Sequence, residues 1–132
     1  MRAPHPAPNP ARVRKGGQAR RAGRAAEAVA AAWLMLKGWR IIGFRLDVGG
    51  VEIDILARRG DVLAVVEVKR RGDIDSALAA VGPVQQARLF RAAESLAARR
   101  RDLCGLCVRL DMVTLAPGRL PRHIPDAWSR GL

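Results

Sequence analysis

Two hydrophobic rhythms divide the chain, one helical and one extended. Residues 20–37 are rich in alanine and carry Val29, Trp33 and Leu36 at helical spacing. With Gly38 placed as a C-terminal stop, this predicts a first helix with those three residues on one face. Three extended runs follow, at residues 40–47, 51–57 and 62–69. The third contains the unbroken apolar stretch Val62 to Val66, the mark of a central strand buried on both faces. The helical period returns at Gly82-Pro83, where proline suits the first helical position. It continues to about residue 101 with Leu89, Phe90, Ala93, Leu96 and Ala97 inward. A fourth strand is expected at residues 106–115.

The order α-β-β-β-α-β implies an α/β fold with one mixed sheet flanked by helices. Antiparallel hairpins open it, and a crossover through the second helix can return the last strand parallel. At 132 residues the chain holds one domain, which should bury roughly two thirds of the surface exposed by its unfolded form. Residues 1–18 carry Pro4, Pro6, Pro8 and Pro10, then Arg12, Arg14 and Lys15, with no acid before Glu27. That composition predicts a disordered basic tail ahead of a folded domain at 19–132. The longest apolar stretch, residues 28–36, is far too short to span a bilayer, and no secretory signal is visible. A cytoplasmic protein without a membrane partner is therefore expected. Cys104 and Cys107 form a lone C-x-x-C, and the only histidines are His5 and His123. Zinc would need more ligands, so two buried thiols at the start of a strand are the expectation.

Charge changes the picture. Lys and Arg total 24 against 12 Asp and Glu, a formal charge of +12. An Arg-rich source would produce some of this, but the excess costs self-repulsion and points to a polyanionic partner. Only Lys15, Lys37 and Lys69 are lysine.

Lys69 stands next to the strongest chemical signal. In Glu52-Ile53-Asp54-Ile55, period-two alternation puts the acids on one face and the isoleucines on the other. Glu67 and Lys69 alternate likewise around Val66 and Val68. A hairpin loop of two or four residues centred on Gly60-Asp61 sets Asp54 opposite Glu67 and Ile55 opposite Val66. Two carboxylates would then lie about 5 Å apart at Cβ, which is destabilising unless something offsets it. A shared proton or an arginine would serve; a divalent cation held by both does so most directly. Lys69 supplies an ammonium beside that position, suited to orienting a water or meeting phosphate charge. Taken singly, each residue favours the plainer reading of a Glu67–Lys69 surface ion pair and a strand-end carboxylate at Asp54; taken together, two facing acids at the end of a buried strand beside a lysine in an arginine-rich chain favour a site. Glu27 sits among Ala30, Ala31 and Leu34, so it either completes the metal site or pairs with Arg24. Gln85 and Gln86 open the second helix, where the Gln86 amide could orient a water.

Several segments together resemble the YraN-like group of uncharacterised proteins, within the PD-(D/E)xK restriction-endonuclease-like nucleases. They are Gly23-Arg24-Ala25-Ala26-Glu27, Val51-Glu52-Ile53-Asp54-Ile55-Leu56-Ala57, Val65-Val66-Glu67-Val68-Lys69-Arg70-Arg71, Arg109-Leu110-Asp111-Met112-Val113 and Ile124-Pro125-Asp126-Ala127-Trp128. The likeness covers residues 23–128, with Val51 where the family usually has Gly and Gln85 where Lys is common. It implies an αβββαβ nuclease-like core with Glu27, Asp54, Glu67 and Lys69 at the superfamily's site.

The combined expectation is a Mg²⁺- or Mn²⁺-dependent endonuclease. Asp54, Glu67 and the Val68 carbonyl hold the metal; Lys69, Glu27 and Gln86 assist. The rivals are a nucleic-acid-binding module with an inert nuclease fold and a non-catalytic protein-interaction subunit. Trp33, Trp39, Trp128, Phe44 and Phe90 are the only aromatics. A stacking platform is thereby disfavoured, and backbone contact with duplex or branched DNA is expected. A branched junction would suit a homodimer.

Overall fold

The computed structural model describes residues 10–128. Its elements are α1 (Pro10–Leu36), β1 (Arg40–Val48), β2 (Val51–Arg59), β3 (Val62–Lys69), α2 (Ile74–Ala79), α3 (Pro83–Arg99), β4 (Cys107–Thr114) and β5 (Arg122–Ile124). The expected αβββαβ core is present, with a five-stranded mixed sheet in the order β1-β2-β3-β4-β5 and helices against it.

Helix α1 begins ahead of the expected boundary, so residues 10–18 of the segment read as a disordered tail are helical. Ala11, Arg12, Arg14, Lys15 and Gln18 are good helix formers, and Pro10 opens the helix where a missing N–H does no harm. The remaining tail, residues 1–9, lies outside the described residues. At the other end Gly38 adopts φ 91°. The Trp39 amide donates to the Leu34 carbonyl and the Gly38 amide to that of Met35, both at 3.0 Å, closing a Schellman-type cap. The cap turns Trp39 back onto Leu34 in one buried cluster.

The buried face of α1 is Ala26, Ala30, Ala31 and Leu34, whereas Val29 is 49% and Leu36 82% exposed. This corrects the expected Val29–Trp33–Leu36 face. Alanines let the helix backbone come close to the sheet, and Leu34 fills the remaining gap, so small residues outcompete larger ones for the interface.

Both hairpins are two-residue turns. Val48 pairs with Val51 across Gly49-Gly50, whose φ values of 59° and 85° fit a type I′ turn. Arg59 pairs with Val62 across Gly60-Asp61. The β2–β3 ladder keeps the expected register from Arg59↔Val62 to Ile55↔Val66. Strand β4 joins β3 in parallel from Val62↔Cys107 to Lys69↔Thr114, through a crossover containing α3 as expected. Helix α2 was not foreseen: Asp73 caps it by accepting from the Asp75 and Ser76 amides. Short β5 was also missed.

Two core layers sandwich the sheet. Leu89, Ala92, Ala93 and Ala97 of α3 cover Ile53, Leu56, Leu63, Val65 and Leu110. Ala30, Ala31 and Leu34 of α1 cover Ile55, Ala57, Ala64, Val66 and Val113. Ile53 and Ile55 therefore lie in different layers, against the strict alternation expected through residues 52–55. The ladder to β3 stops at Ile55↔Val66, and Arg45, between Phe44↔Ile55 and Leu46↔Ile53, has φ 46°. Freed from β3, the hairpin end of β1 and β2 curls onto α3, where Leu46, Val48 and Val51 pack.

Candidate metal and phosphate site

Asp54 sits where β2 leaves β3. Its Oδ2 accepts the Val68 amide at 3.0 Å, so the side chain takes over from the backbone ladder that has just ended. An open cleft of about 410 Å³ forms at this fork, lined by Gly23, Ala26 and Glu27 of α1, by Asp54, and by Val68, Lys69, Arg70 and Arg71. The small residues of α1 leave the carboxylates accessible.

Glu67 is 6% exposed and is not among the cleft-lining residues; its Oε1 is buried without a hydrogen-bond partner. Burial, followed by the negative charge of Asp54, pushes its carboxyl up to about 8, with the Lys69 ammonium pulling the other way. A carboxyl raised this far favours its protonated form at neutral pH. Of the ways to offset two neighbouring carboxylates, a proton on Glu67 is the one this environment supports. A cation could replace that proton at the same oxygens.

Glu27 pairs with Arg45 at 2.6 Å, a partner different from the Arg24 considered from sequence. Burial raises its pKa, Arg45 lowers it, and Asp54 and Glu52 raise it further. Its electrostatic sensitivity to Asp54 ties it to the cleft. Even so, among the described residues no three His, Cys, Asp or Glu side chains gather as a metal-binding group. Gln86 falls outside the cleft lining: its Nε2 donates to the Val81 carbonyl at 2.9 Å across the turn that starts α3, so its expected water-orienting role is not supported.

Arg45 had no assigned role from sequence, although the Gly49-Gly50 turn could have located it. Counting back from a two-residue turn sets residue 45 opposite residue 54. Its left-handed backbone had no such signal. Arg70 and Arg71 were visible as part of a motif, but only the fork shows that they line the cleft beside Lys69.

Asp111 serves a different purpose. Wholly buried, it accepts from Arg109 Nε and Nη2 at 2.8 and 2.9 Å and from the Asp126 amide at 3.0 Å, and lies 2.8 Å from His123 Nε2. Burial alone would raise its pKa, but the hydrogen bonds from His123, Arg109 and the Asp126 amide outweigh that and lower it. With both oxygens satisfied by β4, β5 and the closing segment, the cluster fastens that edge of the sheet. Cys104 and Cys107 are exposed free thiols, correcting the buried pair expected, because they flank the turn into β4 on its outer side.

A family model described as "Uncharacterised protein family UPF0102" matches residues 26–115. A UPF0102 protein of Caulobacter vibrioides (strain NA1000 / CB15N) is 60% identical over 117 residues, covering 89% of this chain and 94% of the relative. One from Paramagnetospirillum magneticum is 48% identical over 123 residues, covering 90% and 94%. A third, from Rhizobium etli, is 47% identical over 111 residues, covering 84% and 91%.

Proposed function

The chain belongs to the UPF0102 family, the YraN-like group that its motifs resemble, and from the chemistry of its own cleft we propose a metal-dependent endonuclease that hydrolyses phosphodiester bonds in DNA. The observation that carries this reading is the buried Glu67 beside Asp54, with an oxygen lacking a hydrogen-bond partner and a pKa raised by burial and by the Asp54 charge. Asp54, Glu67 and the Val68 carbonyl would hold Mg²⁺ or Mn²⁺. Two carboxylates suffice for Mg²⁺, which retains several waters and bridges to substrate phosphate. When bound, the cation would polarise the scissile phosphate and acidify a water.

The chain's own residues supply the remainder. The Lys69 ammonium, on the cleft wall, meets charge developing on phosphate and orients the attacking water. Arg70 and Arg71 hold neighbouring phosphates. Glu27, fixed by Arg45, adds a carboxylate to the opposite wall to accept a hydrogen bond from that water. Duplex or branched DNA suits these backbone contacts better than a stacked single strand.

The deciding experiment is a cleavage screen of duplex, flap, junction and single-stranded DNA with Mg²⁺ or Mn²⁺. Wild-type protein should cleave, and Asp54→Asn and Glu67→Gln should lower the rate by at least about a hundredfold, the scale on which one electrostatic catalytic group acts. Full activity in both folded variants would overturn the reading. Binding without cleavage would select the inert binding module.

A further inference from the structure

A second groove, of about 640 Å³, opens between the Gly49-Gly50 turn and α3. Val48, Val51 and Ala92 form part of its apolar lining, and Arg88, Arg91 and Arg99 bring three cations to it. The arginines share one helical face and span roughly 16 Å of helix axis. All three are exposed. Among the described residues no acid lines the groove. Among the described residues none of the three has a carboxylate partner: Arg91 and Arg99 donate only to the Ala87 and Ser95 carbonyls of their own helix, and Arg88 has no ion pair. Arg88 and Arg91, three residues apart on the helix, repel, and among the described residues no ion pair offsets them.

We propose that this groove is a docking surface for the phosphate backbone of nucleic acid, separate from the Asp54–Glu67 cleft. Charge complementarity selects a polyanion, and the span accommodates several phosphates of one strand, spaced about 3.4 Å along a duplex axis. The turn opposite the arginines consists of two glycines with nothing within 4 Å of where a Cβ would stand, so no side chain narrows the groove there, and the Gly50 amide is held by Asp47 Oδ1 at 2.9 Å. Val51 lines the groove and Asp54 the cleft, so roughly 10 Å of β2 links two sites that lie against different helices, α3 on one face of the sheet and α1 on the other. The regular repeat of phosphates along one strand suits a row of three exposed arginines on one helix, which favours nucleic acid over an acidic polypeptide. The inference shares the polyanionic partner with the proposed function but depends on neither metal nor cleavage.

The test is fluorescence anisotropy with a labelled DNA duplex in EDTA, across a salt series. Two triple variants remove the same charge: Arg88→Gln with Arg91→Gln and Arg99→Gln in the groove, and Arg40→Gln with Arg101→Gln and Arg119→Gln at exposed positions elsewhere. The groove variant should bind at least about tenfold more weakly, with the log–log salt slope reduced by about 1 per arginine, while the control stays near wild type. Unchanged midpoints of thermal unfolding confirm that both fold. Equal losses in the two variants, or no loss in the groove variant, overturn the proposal even if wild-type protein cleaves DNA. Groove-dependent binding in a protein that never cleaves upholds it and refutes only the nuclease reading. Groove-dependent binding of polyglutamate with none of DNA or RNA overturns it in favour of an acidic protein partner.

Discussion

The Oδ2 of Asp54 accepts the amide proton of Val68 at 3.0 Å, substituting for a backbone acceptor where β2 and β3 part. Asp54 thus combines a structural bond with a charge that bears on Glu67. Asp54→Ala would leave a partly buried amide unmet, at about 1–3 kcal/mol. Asp54→Asn keeps an acceptor and removes only the charge. In that variant the Glu67 carboxyl should titrate below its present value of about 8 and above its ordinary 4.5, because burial, the larger cause, remains. Carbon-detected NMR titration of the Glu67 side chain reads this directly; an unmoved midpoint would mean that the two carboxyls do not interact.

The proton on Glu67 makes stability depend on pH in an unusual direction for an acid. Its folded pKa, about 8, exceeds the unfolded value near 4.5, so the native state binds more protons between them. This contribution is fully present below the unfolded value and is lost as pH rises through about 8. In EDTA the unfolding midpoint should therefore fall over this window, and Glu67→Gln should flatten the trend. Mn²⁺ or Mg²⁺ should raise the midpoint more at about pH 8.5 than at about pH 6, since cation and proton compete for one carboxylate. Differential scanning fluorimetry checks both; equal metal increments at the two pH values would count against Glu67 as a ligand.

Arg45 holds Glu27 at 2.6 Å from a backbone with φ 46°. A partly exposed ion pair contributes at most about 1 kcal/mol, and a non-glycine residue in this conformation carries a comparable strain. Arg45→Gly removes both terms and should shift stability by less than about 1 kcal/mol. Arg45→Ala removes the pair but keeps the strain, so it should be the less stable variant. Urea denaturation of the two variants distinguishes them, and the reverse order would show that the positive φ carries no strain.

Asp111 is the acid whose loss should hurt most. Asp111→Ala leaves Arg109, His123 and the Asp126 amide without their acceptor and should cost about 3–5 kcal/mol. Its folded pKa is depressed, so its contribution is present above the unfolded value of 3.8 and disappears as pH falls through the lower folded value. Urea midpoints at neutral and acidic pH test this, with the difference between wild type and variant narrowing in acid.

The sequence by itself determined the β2–β3 register as far as Ile55↔Val66, because a turn centred on Gly60-Asp61 and a period-two pattern leave one pairing that buries the apolar residues; the influence of Asp54 on Glu67 lies beyond the end of that ladder and belongs to the folded chain. It also determined the start of α3 at Pro83 and the stop of α1 at Gly38, both local consequences of backbone geometry. What depends on packing across the sheet was decided only in three dimensions. Val29, Trp33 and Leu36 looked like a core face, yet the close approach of α1 favoured its alanines. Strict alternation through Ile53 and Ile55 failed where β3 stopped holding β2 flat, and that same departure opened the cleft. Arg45 reached Glu27 across 18 positions of sequence, and the Asp111 cluster joined β4 to the closing segment. Such contacts leave no period in the sequence, because they arise from the meeting of elements that each obey their own.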